Sequence, residues 1–378
     1  MQVNKTHICH LVFSFEVGGL ERIIVNCINH LNNETFHHTI ISLTEAGSFI
    51  SQITVPIDHY CLNKKSGKDF SINLKLYRLL RELRPDVLHT YNLGAIEYQW
   101  IGLLARVPMR VHAEHGRDSY DPNGSVTKYQ WLRKICSYPI HKIVTVSQDL
   151  HNWLAKDVGL SGNKLRLIVN GVDTNYFHPD LFDDNELNVL QGKFIFGHVA
   201  RLHAIKNQIF MLESFLLACQ RLEVFKENCV LVIIGDGPDK DHLSRYIVDH
   251  PVLENRVFLL GEKNNVRDFY RQFDIFLMSS IAEGIPMTLL ESMSMSVPHL
   301  VTDVGGISEV IIEEKTGLSV PSGEITAYCQ AMIKLFNNRN NNIEMSKYAR
   351  RQIVERFSQD KMVKAYQDIY LGNDLTIN

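Results

Sequence analysis

The sequence lacks several features that would place it in particular classes of protein. Its seven cysteines form no C-x-x-C pair and most lie in apolar surroundings, which argues against a disulfide framework and favours core residues in a reducing compartment. No stretch approaches the roughly 18 apolar residues that a membrane span requires, and the N-terminus does not resemble a signal sequence. The formal net charge of -3 gives no support to nucleic acid as a partner. We therefore expect a cytoplasmic protein.

Length and composition are those of a globular protein with two domains. Of its 378 residues, 45% are hydrophobic and 21% are charged, as in globular proteins. A chain of this length is too long for one ordinary core. Predicted strands and helices alternate along almost the whole chain, as in parallel doubly wound sheets. We predict an α/β fold with domains at residues 1–185 and 186–358, joined by an acidic linker around 180–188. The last helix, 359–378, is expected to cross back to the first domain.

Two glutamates follow a predicted strand in the second half of the chain. The strand, residues 275–278, ends in small residues, after which come Glu283, a Gly-Ile-Pro bend and a helix that carries Glu291. Ligands of open α/β sheets bind beyond the carboxyl ends of strands, where a helix presents unpaired backbone N–H groups. A phosphorylated polyol fits, because carboxylates accept hydrogen bonds from hydroxyls. Taken alone, the two glutamates are more often solvated charges at a helix end.

Cations and glycines follow two other predicted strands. Arg201 and Lys206 come after the strand 194–199, where they would clamp an anion such as a phosphate. Gly18 and Gly19 come after the strand 8–13 and open a helix, where they would let a phosphate approach the helix start. The alternatives are ordinary surface cations in the first case and a plain tight turn in the second.

A polar cluster, Glu114-His115-Gly116-Arg117-Asp118, follows the predicted strand 110–114. His115 could act as a general base or orient a ligand hydroxyl, although one histidine among 17 proves little, and the spacing suggests no metal triad.

The predicted helix 71–84 carries a basic stripe that is either a solvated face or a surface attracted to anionic lipid headgroups. The stripe consists of Lys75, Arg78, Arg81 and Arg84.

Motifs along nearly the whole chain resemble those of the retaining glycosyltransferases of family 4. Each motif is weak alone, but their order and spacing together are specific. They are Gly18 to Glu21, Pro85 to His89, Asn170 to Asp173, Arg201 with Lys206 and Asn207, Ile234 to Pro238, Glu283 to Glu291, and Gly305 and Gly306 with Glu309. The cluster around His115 is similar to that of sugar transferases associated with bacterial exopolysaccharide clusters. Ala200, Ser292 and Ser296 depart from a usual glycine, alanine and glycine.

The resemblance implies a fold and a role for each matched residue. The fold is GT-B, two Rossmann-like domains facing a cleft. Arg201 and Lys206 would neutralise the diphosphate of a nucleotide-sugar, and His115 would line the reaction centre. The remaining donor-binding positions are Gly18 and Gly19 at the phosphates, Glu283 with Gly284, Ile285 and Met287 at the sugar, and Glu291 at the ribose.

The resemblance further implies a substrate class and no cofactor. The enzyme would move a sugar, with retention, from a UDP- or GDP-sugar to a glycan or lipid-linked acceptor in cell-surface polysaccharide biosynthesis. Neither a metal nor nucleic acid is expected, and peripheral contact at the inner face of the cell membrane stays open. The alternatives are a nucleotide-sugar 2-epimerase and a non-catalytic nucleotide-sugar-binding partner. A dehydrogenase is weakly supported because Gly235 and Gly237 lack the third glycine of the dinucleotide fingerprint.

Overall fold

A computed structural model describes residues 5–45, 47–118, 120–181 and 187–373. Contacts divide the chain into two units, one formed by Met1–Gly171 with Gln359–Asn378 and the other by Val172–Ser358. The predicted boundary between residues 185 and 186, with most of the predicted linker, lies outside the described residues. No helix among the described residues is both long and apolar enough to cross a bilayer.

The first unit is built on a 7-stranded sheet whose paired strands all run parallel. Its strands are β1 (Thr6–Val12), β2 (Phe36–Ser42), β3 (Ile57–Cys61), β4 (Val87–Tyr91), β5 (Met109–Glu114), β6 (Lys142–Thr145) and β7 (Leu165–Leu167). Their order in the sheet is β3-β2-β1-β4-β5-β6-β7, so the direction of winding reverses between β1 and β4. Our sequence analysis did not predict β3, an edge strand whose residues alternate between partly buried and exposed.

Helices cover both faces of this sheet. They are α1 (Gly19–His30), α2 (Ser71–Leu83), α3 (Asn92–Ile96), α4 (Gln99–Leu104), α5 (Thr127–Cys136) and α6 (Gln148–Lys156). The connections from β3 through β6 all step in one direction across the sheet, and parallel crossovers are right-handed. Helices α2, α4 and α5 therefore cover one face, and α1 covers the other.

The second unit has a 6-stranded parallel sheet of the same kind. Its strands are β8 (Phe194–Val199), β9 (Cys229–Ile234), β10 (Val257–Leu259), β11 (Ile275–Met278), β12 (His299–Thr302) and β13 (Gly317–Val320). Its helices are α7 (Gln208–Arg221), α8 (Glu223–Asn228), α9 (Lys240–Asp249), α10 (Val266–Tyr270), α11 (Met287–Ser294), α12 (Ile325–Asn337) and α13 (Arg339–Arg356). The strand order β10-β9-β8-β11-β12-β13 reverses between β8 and β11. The predicted class, two doubly wound parallel sheets, is confirmed.

The last helix, α14 (Gln359–Tyr370), belongs to the first unit and packs against α1. The Tyr370 hydroxyl lies 2.8 Å from Nδ1 of buried His89, and the Tyr91 hydroxyl lies 2.7 Å from Nδ1 of buried His10. His38 completes this layer, since its Nδ1 lies 3.0 Å from Nε2 of His10. Burial lowers the pKa of His10 and His89 well below the usual value and that of His38 to about 3, so the layer is uncharged at neutral pH.

Candidate functional site

In the second unit, the loops after β8 and β11 meet because these two strands are neighbours in the sheet. The loop after β8 carries Arg201 and Lys206, and the loop after β11 carries Glu283. The backbone N–H of Ile281 donates to the carbonyl of Ile205 at 2.8 Å, which joins the two loops directly. Both loops leave the sheet where the strand order reverses, the position at which open α/β sheets bind ligands.

Lys206 and Glu283 form an ion pair at this position. The Lys206 ammonium donates to Oε1 of Glu283 at 2.5 Å, and the Ser280 hydroxyl donates to the same oxygen at 2.6 Å. The Ser280 carbonyl in turn accepts a hydrogen bond from the Thr302 hydroxyl at 2.6 Å, which ties the loop to β12. Two predicted site residues, 77 positions apart, are thus brought into contact.

Gly305 allows the Glu283 loop to lie close to the next loop of the sheet. Its φ of +56° is in the left-handed region, and a Cβ atom there would lie 1.9 Å from the carbonyl oxygen of Glu283. The N–H of Gly306 donates to that same carbonyl at 3.4 Å. A side chain at position 305 would therefore displace the backbone of Glu283.

Arg201 is exposed, and its backbone is held by buried groups beneath it. Gln208 Nε2 donates to the Arg201 carbonyl at 3.1 Å and lies 3.2 Å from Nε2 of His198. Nδ1 of His198 lies 2.8 Å from the carbonyl of Leu277, which links the Arg201 loop to β11. Burial lowers the pKa of His198 to about 4, so this imidazole is neutral and adds no charge beneath the exposed guanidinium.

Glu291 lies deeper, on α11. Its side chain is buried and accepts a hydrogen bond at 2.9 Å from the hydroxyl of Tyr270, which is the last residue of α10. Gly284, Ile285 and Met287 are buried between the two glutamates, with Met287 at the start of α11. The first N–H groups of a helix have no partner within it, so this start is suited to an anion.

Packing explains one of the three departures from the family pattern, that at Ser292. The Ser292 hydroxyl lies 2.8 Å from Nε2 of buried His299 on β12, a contact that alanine could not make. Ser296 follows α11 with a φ of +60°, where a glycine avoids a strain of about 1 kcal/mol. The Ala200 carbonyl lies where a Cβ on Gly235 would be, only 1.9 Å from it.

In the first unit, the cluster after β5 is mostly an ion-pair network. Buried Arg133 of α5 donates to Glu114 at 2.7 Å and to Asp118 at 2.8 Å. Burial alone would raise the pKa of Glu114, but the Arg133 guanidinium and His112 hold it at about 2. Arg117 pairs with Asp149 of α6 at 2.6 Å. Glu114, Arg117 and Asp118 thus have structural partners, and our sequence analysis named neither Arg133 nor Asp149.

His115 differs from its neighbours. Its backbone N–H donates to Oδ1 of Asn92 at 2.8 Å, but both of its ring nitrogens are buried without a hydrogen-bond partner. Burial lowers the pKa of His115 to about 3, so its imidazole is neutral. A neutral imidazole can donate through one nitrogen and accept through the other.

Gly18 and Gly19 lie at the start of α1, after β1, where the winding of the first sheet reverses. A Cβ on Gly18 would lie 2.3 Å from the flexible carboxylate of Glu21, whereas a Cβ on Gly19 would meet nothing within 4 Å. The packing of the protein itself therefore gives no reason for glycine at position 19.

The sequence analysis did not identify the hydrogen-bonding partners of the predicted site residues, and the reason is the same for each. Arg133, Ser280 and Tyr270 lie on other elements or in small-residue stretches, and their contacts arise only from the fold. Helix α5 did carry a signal for Arg133. Trp131 and Ile135 are exposed on one side of this helix, and Arg133, two residues from each, is buried on the opposite side.

Among the described residues, no three His, Cys, Asp or Glu side chains are grouped to hold a metal.

Two family models match adjoining parts of the chain. Residues 17–176 match the model described as Glycosyltransferase Family 4, and residues 181–352 match that described as Glycosyl transferases group 1. The chain belongs to the GT-B glycosyltransferases of the family 4 type. The predicted family is therefore confirmed.

Curated relatives of this glycosyltransferase extend over its length. It is 26% identical to the UDP-Gal:alpha-D-GlcNAc-diphosphoundecaprenol alpha-1,3-galactosyltransferase of Escherichia coli, over 99% of this chain and 98% of the relative. It is 25% identical to the N-acetyl-alpha-D-glucosaminyl L-malate synthase of Bacillus anthracis, over 84% of this chain and 82% of that one.

A solved structure has the same fold. Anabaena Alr3699/HepE, crystallised with UDP and glucose, superposes on this glycosyltransferase with a TM-score of 0.82, covering 97% of this chain and 99% of the other. The two sequences are 17% identical, so the likeness concerns the fold alone.

Proposed function

We propose that this glycosyltransferase moves a sugar from a nucleotide-diphosphate sugar to a lipid-linked or glycan acceptor in cell-surface polysaccharide synthesis, with retention of the anomeric configuration. The observation that carries the proposal is the paired Lys206 and Glu283 beside exposed Arg201, where the second sheet reverses. This arrangement supports binding of a diphosphate by cations next to a carboxylate that accepts hydrogen bonds from sugar hydroxyls.

The proposed role of each residue follows from its charge and from how deeply it is buried. Arg201 and Lys206 bind the diphosphate, Glu283 holds the donor sugar beside Gly284, Ile285 and Met287, and the deeper Glu291 holds the ribose. In the first unit, Gly18 and Gly19 let a phosphate oxygen approach α1, and His115 exchanges hydrogen bonds with a substrate hydroxyl. These roles are supported by the exposure of Arg201, the burial of Glu291 and the unpaired ring of His115.

The chemistry proposed is transfer at the anomeric carbon. The bond from this carbon to the phosphate oxygen breaks, a bond to the acceptor oxygen forms on the same face, and the departing phosphate takes the acceptor's proton. Negative charge grows on the phosphate in an oxocarbenium-like transition state. Arg201 and Lys206 therefore stabilise the transition state more than the ground state, which raises the rate.

The donor and acceptor classes are proposed from the relatives. The Escherichia coli relative is named for UDP-Gal and a GlcNAc-diphosphoundecaprenol acceptor, and HepE was crystallised with UDP. Of the UDP- and GDP-sugars expected from sequence, we therefore propose a UDP-sugar, and a polyprenyl-diphosphate-linked sugar as acceptor.

Thermal unfolding with free nucleotides tests the donor class, because a ligand that binds only the folded state raises its melting temperature. UDP should raise it more than GDP, ADP or CMP do. Product configuration is then read by NMR, and an inverted anomer would disprove retention. A product formed without any acceptor would instead indicate the epimerase, which none of the relatives described above favours.

Two substitutions test the site itself. Arg201→Ala should lower kcat about 100-fold or more, the usual effect of removing one donor to a transition-state oxyanion, while thermal stability stays unchanged. Arg351→Ala, on an exposed position of α13, is the matched control and should leave turnover unchanged. Glu283→Gln should abolish most transfer yet leave binding of free UDP largely intact. Near-normal turnover of Arg201→Ala, or equal loss of transfer and UDP binding in Glu283→Gln, would refute the assigned roles.

A further inference from the structure

Three helices of the first unit expose large apolar side chains on the same side of the sheet. Phe70, which precedes α2, is 77% exposed, Trp131 on α5 is 59% exposed, and Tyr138 just after α5 is 78% exposed. Since α2, α4 and α5 all cover the face reached by the crossovers from β3 to β6, their outward sides point in one direction.

Contacts between the elements that carry these side chains bring them to one surface. Helix α2 packs beside α4, and Trp100 of α4 stacks on Tyr138 with ring centroids 6.1 Å apart and planes 10° apart. Leu104 lies one helical turn from Trp100, and Ile135 one turn from Trp131, so neighbouring exposed positions adjoin. We name the surface the three-helix face and define it by Phe70, Leu74, Leu104, Trp131, Ile135 and Tyr138, all exposed.

Positive charge surrounds the three-helix face although the whole chain carries a formal net charge of -3. The Lys134 ammonium lies 5.8 Å from the centre of the Trp131 ring. The exposed acids on α2, α4 and α5, or within two residues of these helices, are Glu82 and Glu97. The exposed cations in the same segments are Lys75, Arg78, Arg81, Arg84, Arg106, Lys128 and Lys134. The basic stripe predicted on α2 is therefore one edge of a wider surface in which cations alternate with apolar side chains.

We propose that the three-helix face binds the surface of a bilayer that contains anionic phospholipids. Trp and Tyr rings partition to the headgroup region, apolar side chains enter the acyl boundary, and long cationic side chains reach lipid phosphates. The inference deepens the proposed function and rests on it in one respect, since a lipid-linked acceptor would be presented at the same membrane surface.

Other occupants suit the face less well. Cores of protein interfaces are depleted in lysine, whereas Lys134 lies over Trp131 within this face. A second copy of the chain would use the same patch twice and bring like charges together. A bilayer with anionic headgroups complements both the apolar side chains and the cations.

Vesicle sedimentation tests the proposal without donor or acceptor. The full chain should bind phosphatidylcholine vesicles that contain phosphatidylglycerol, bind pure phosphatidylcholine at least tenfold more weakly, and dissociate as salt is raised. The double variant Arg78→Gln/Arg81→Gln should bind at least tenfold more weakly, since each cation near an anionic surface contributes about 1 kcal/mol. The matched control Lys347→Gln/Arg351→Gln, exposed on α13, should bind as the wild type does.

A second variant tests the apolar component. Trp131→Ser/Ile135→Ser should lose vesicle binding at least tenfold while its melting temperature stays unchanged, because both side chains are exposed. Val248→Ser, which changes an exposed valine of the second unit, is its control. Tryptophan emission should shift to the blue on adding anionic vesicles, and Trp131→Phe should remove most of that shift.

Three outcomes would overturn the proposal. They are equal binding to both kinds of vesicle, binding unaffected by either double variant, and self-association in light scattering that Trp131→Ser/Ile135→Ser abolishes without any vesicle binding. The test is independent of catalysis. Absent vesicle binding with intact transfer to a water-soluble acceptor would overturn only this inference, and vesicle binding with no transfer would overturn only the proposed function.

Discussion

Both ring nitrogens of His115 are buried without a partner, while the charged residues around it are paired. An unpaired buried polar group costs about 1–3 kcal/mol, and native proteins retain few of them. The neighbouring network explains why Glu114 and Asp118 are where they are, but it does not explain the imidazole. A ligand that hydrogen-bonds to the ring would explain why an imidazole is buried there.

We predict that His115→Leu lowers transfer at least tenfold but leaves the free energy of unfolding unchanged or higher. Leucine loses no hydrogen bond made within the protein and removes a desolvated imidazole. Urea unfolding and initial rates measure the two effects. The comparison variant is His299→Leu, which breaks the contact with Ser292 and should destabilise the protein. A loss of stability in His115→Leu as large as that in His299→Leu would contradict a ligand-facing role.

At the level of single residues, the sequence was informative where a strand end fixes a position. Lys206 and Glu283 could be anticipated near each other because each follows a strand, and the structure brings them into contact. The cluster around His115 was grouped by adjacency alone. Its division into paired acids and an unpaired imidazole depends on Arg133, 19 residues from Glu114, and no local pattern reports that distance in the chain.

Among the elements, the loop that carries Glu283 depends on the loop after β12. Gly305 is at a φ of +56°, and its missing side chain leaves the space occupied by the Glu283 carbonyl. Gly323 offers a matched case, because it also has a positive φ, +89°, but a Cβ there would meet nothing within 4 Å. A comparison of substitutions at the two glycines therefore distinguishes the cost of a left-handed backbone from the cost of a steric clash with the Glu283 carbonyl.

We predict that Gly305→Ala destabilises the protein by roughly 3 kcal/mol or more and lowers transfer by displacing Glu283. Gly323→Ala should cost only about 1 kcal/mol, the strain of a left-handed alanine, and should transfer sugar normally. Urea unfolding and the transfer rate of each variant check this. Equal behaviour of the two variants would show that contact with the Glu283 carbonyl does not matter.

Buried strands were easier to predict from the sequence than strands that are partly exposed. Strands β8 and β11 agree with the predicted bounds, because continuous apolar runs identify strands buried on both faces. Strand β3 was missed, since its residues Ile57–Cys61 alternate between half-buried and exposed and include Asp58 and His59. That alternation was itself a strand signal, but a weak one over five residues.

For the whole molecule, buried neutral histidines in both units couple stability to pH. Burial lowers the pKa of His38, His115 and His299 to about 3 and that of His198 to about 4, against 6.5 for a free imidazole. Between these values the unfolded chain binds more protons than the folded one. Stability is therefore complete above pH 6.5 and is lost as the pH falls below it.

We predict that the free energy of unfolding decreases between pH 6.5 and 4.5 by roughly 1 kcal/mol per pH unit for each such histidine. Urea titrations at fixed ionic strength measure it. Glu114 adds little slope in most of this window, because its pKa is lowered from 4.5 to about 2 and most of its contribution is lost below pH 4.5. His299→Gln should reduce the slope, and a flat profile down to pH 5 would contradict the prediction.

The placement of α14 has a consequence for biosynthesis. Its residues, Gln359–Tyr370, complete the hydrophobic layer over α1 and the buried histidines, yet the ribosome makes them after all of Val172–Ser358. The amino-terminal unit is thus translated first but must wait for the final segment before it can close. Nascent chains of this enzyme should therefore reach protease resistance in the later-made unit first, which reverses the vectorial order usual for multidomain proteins.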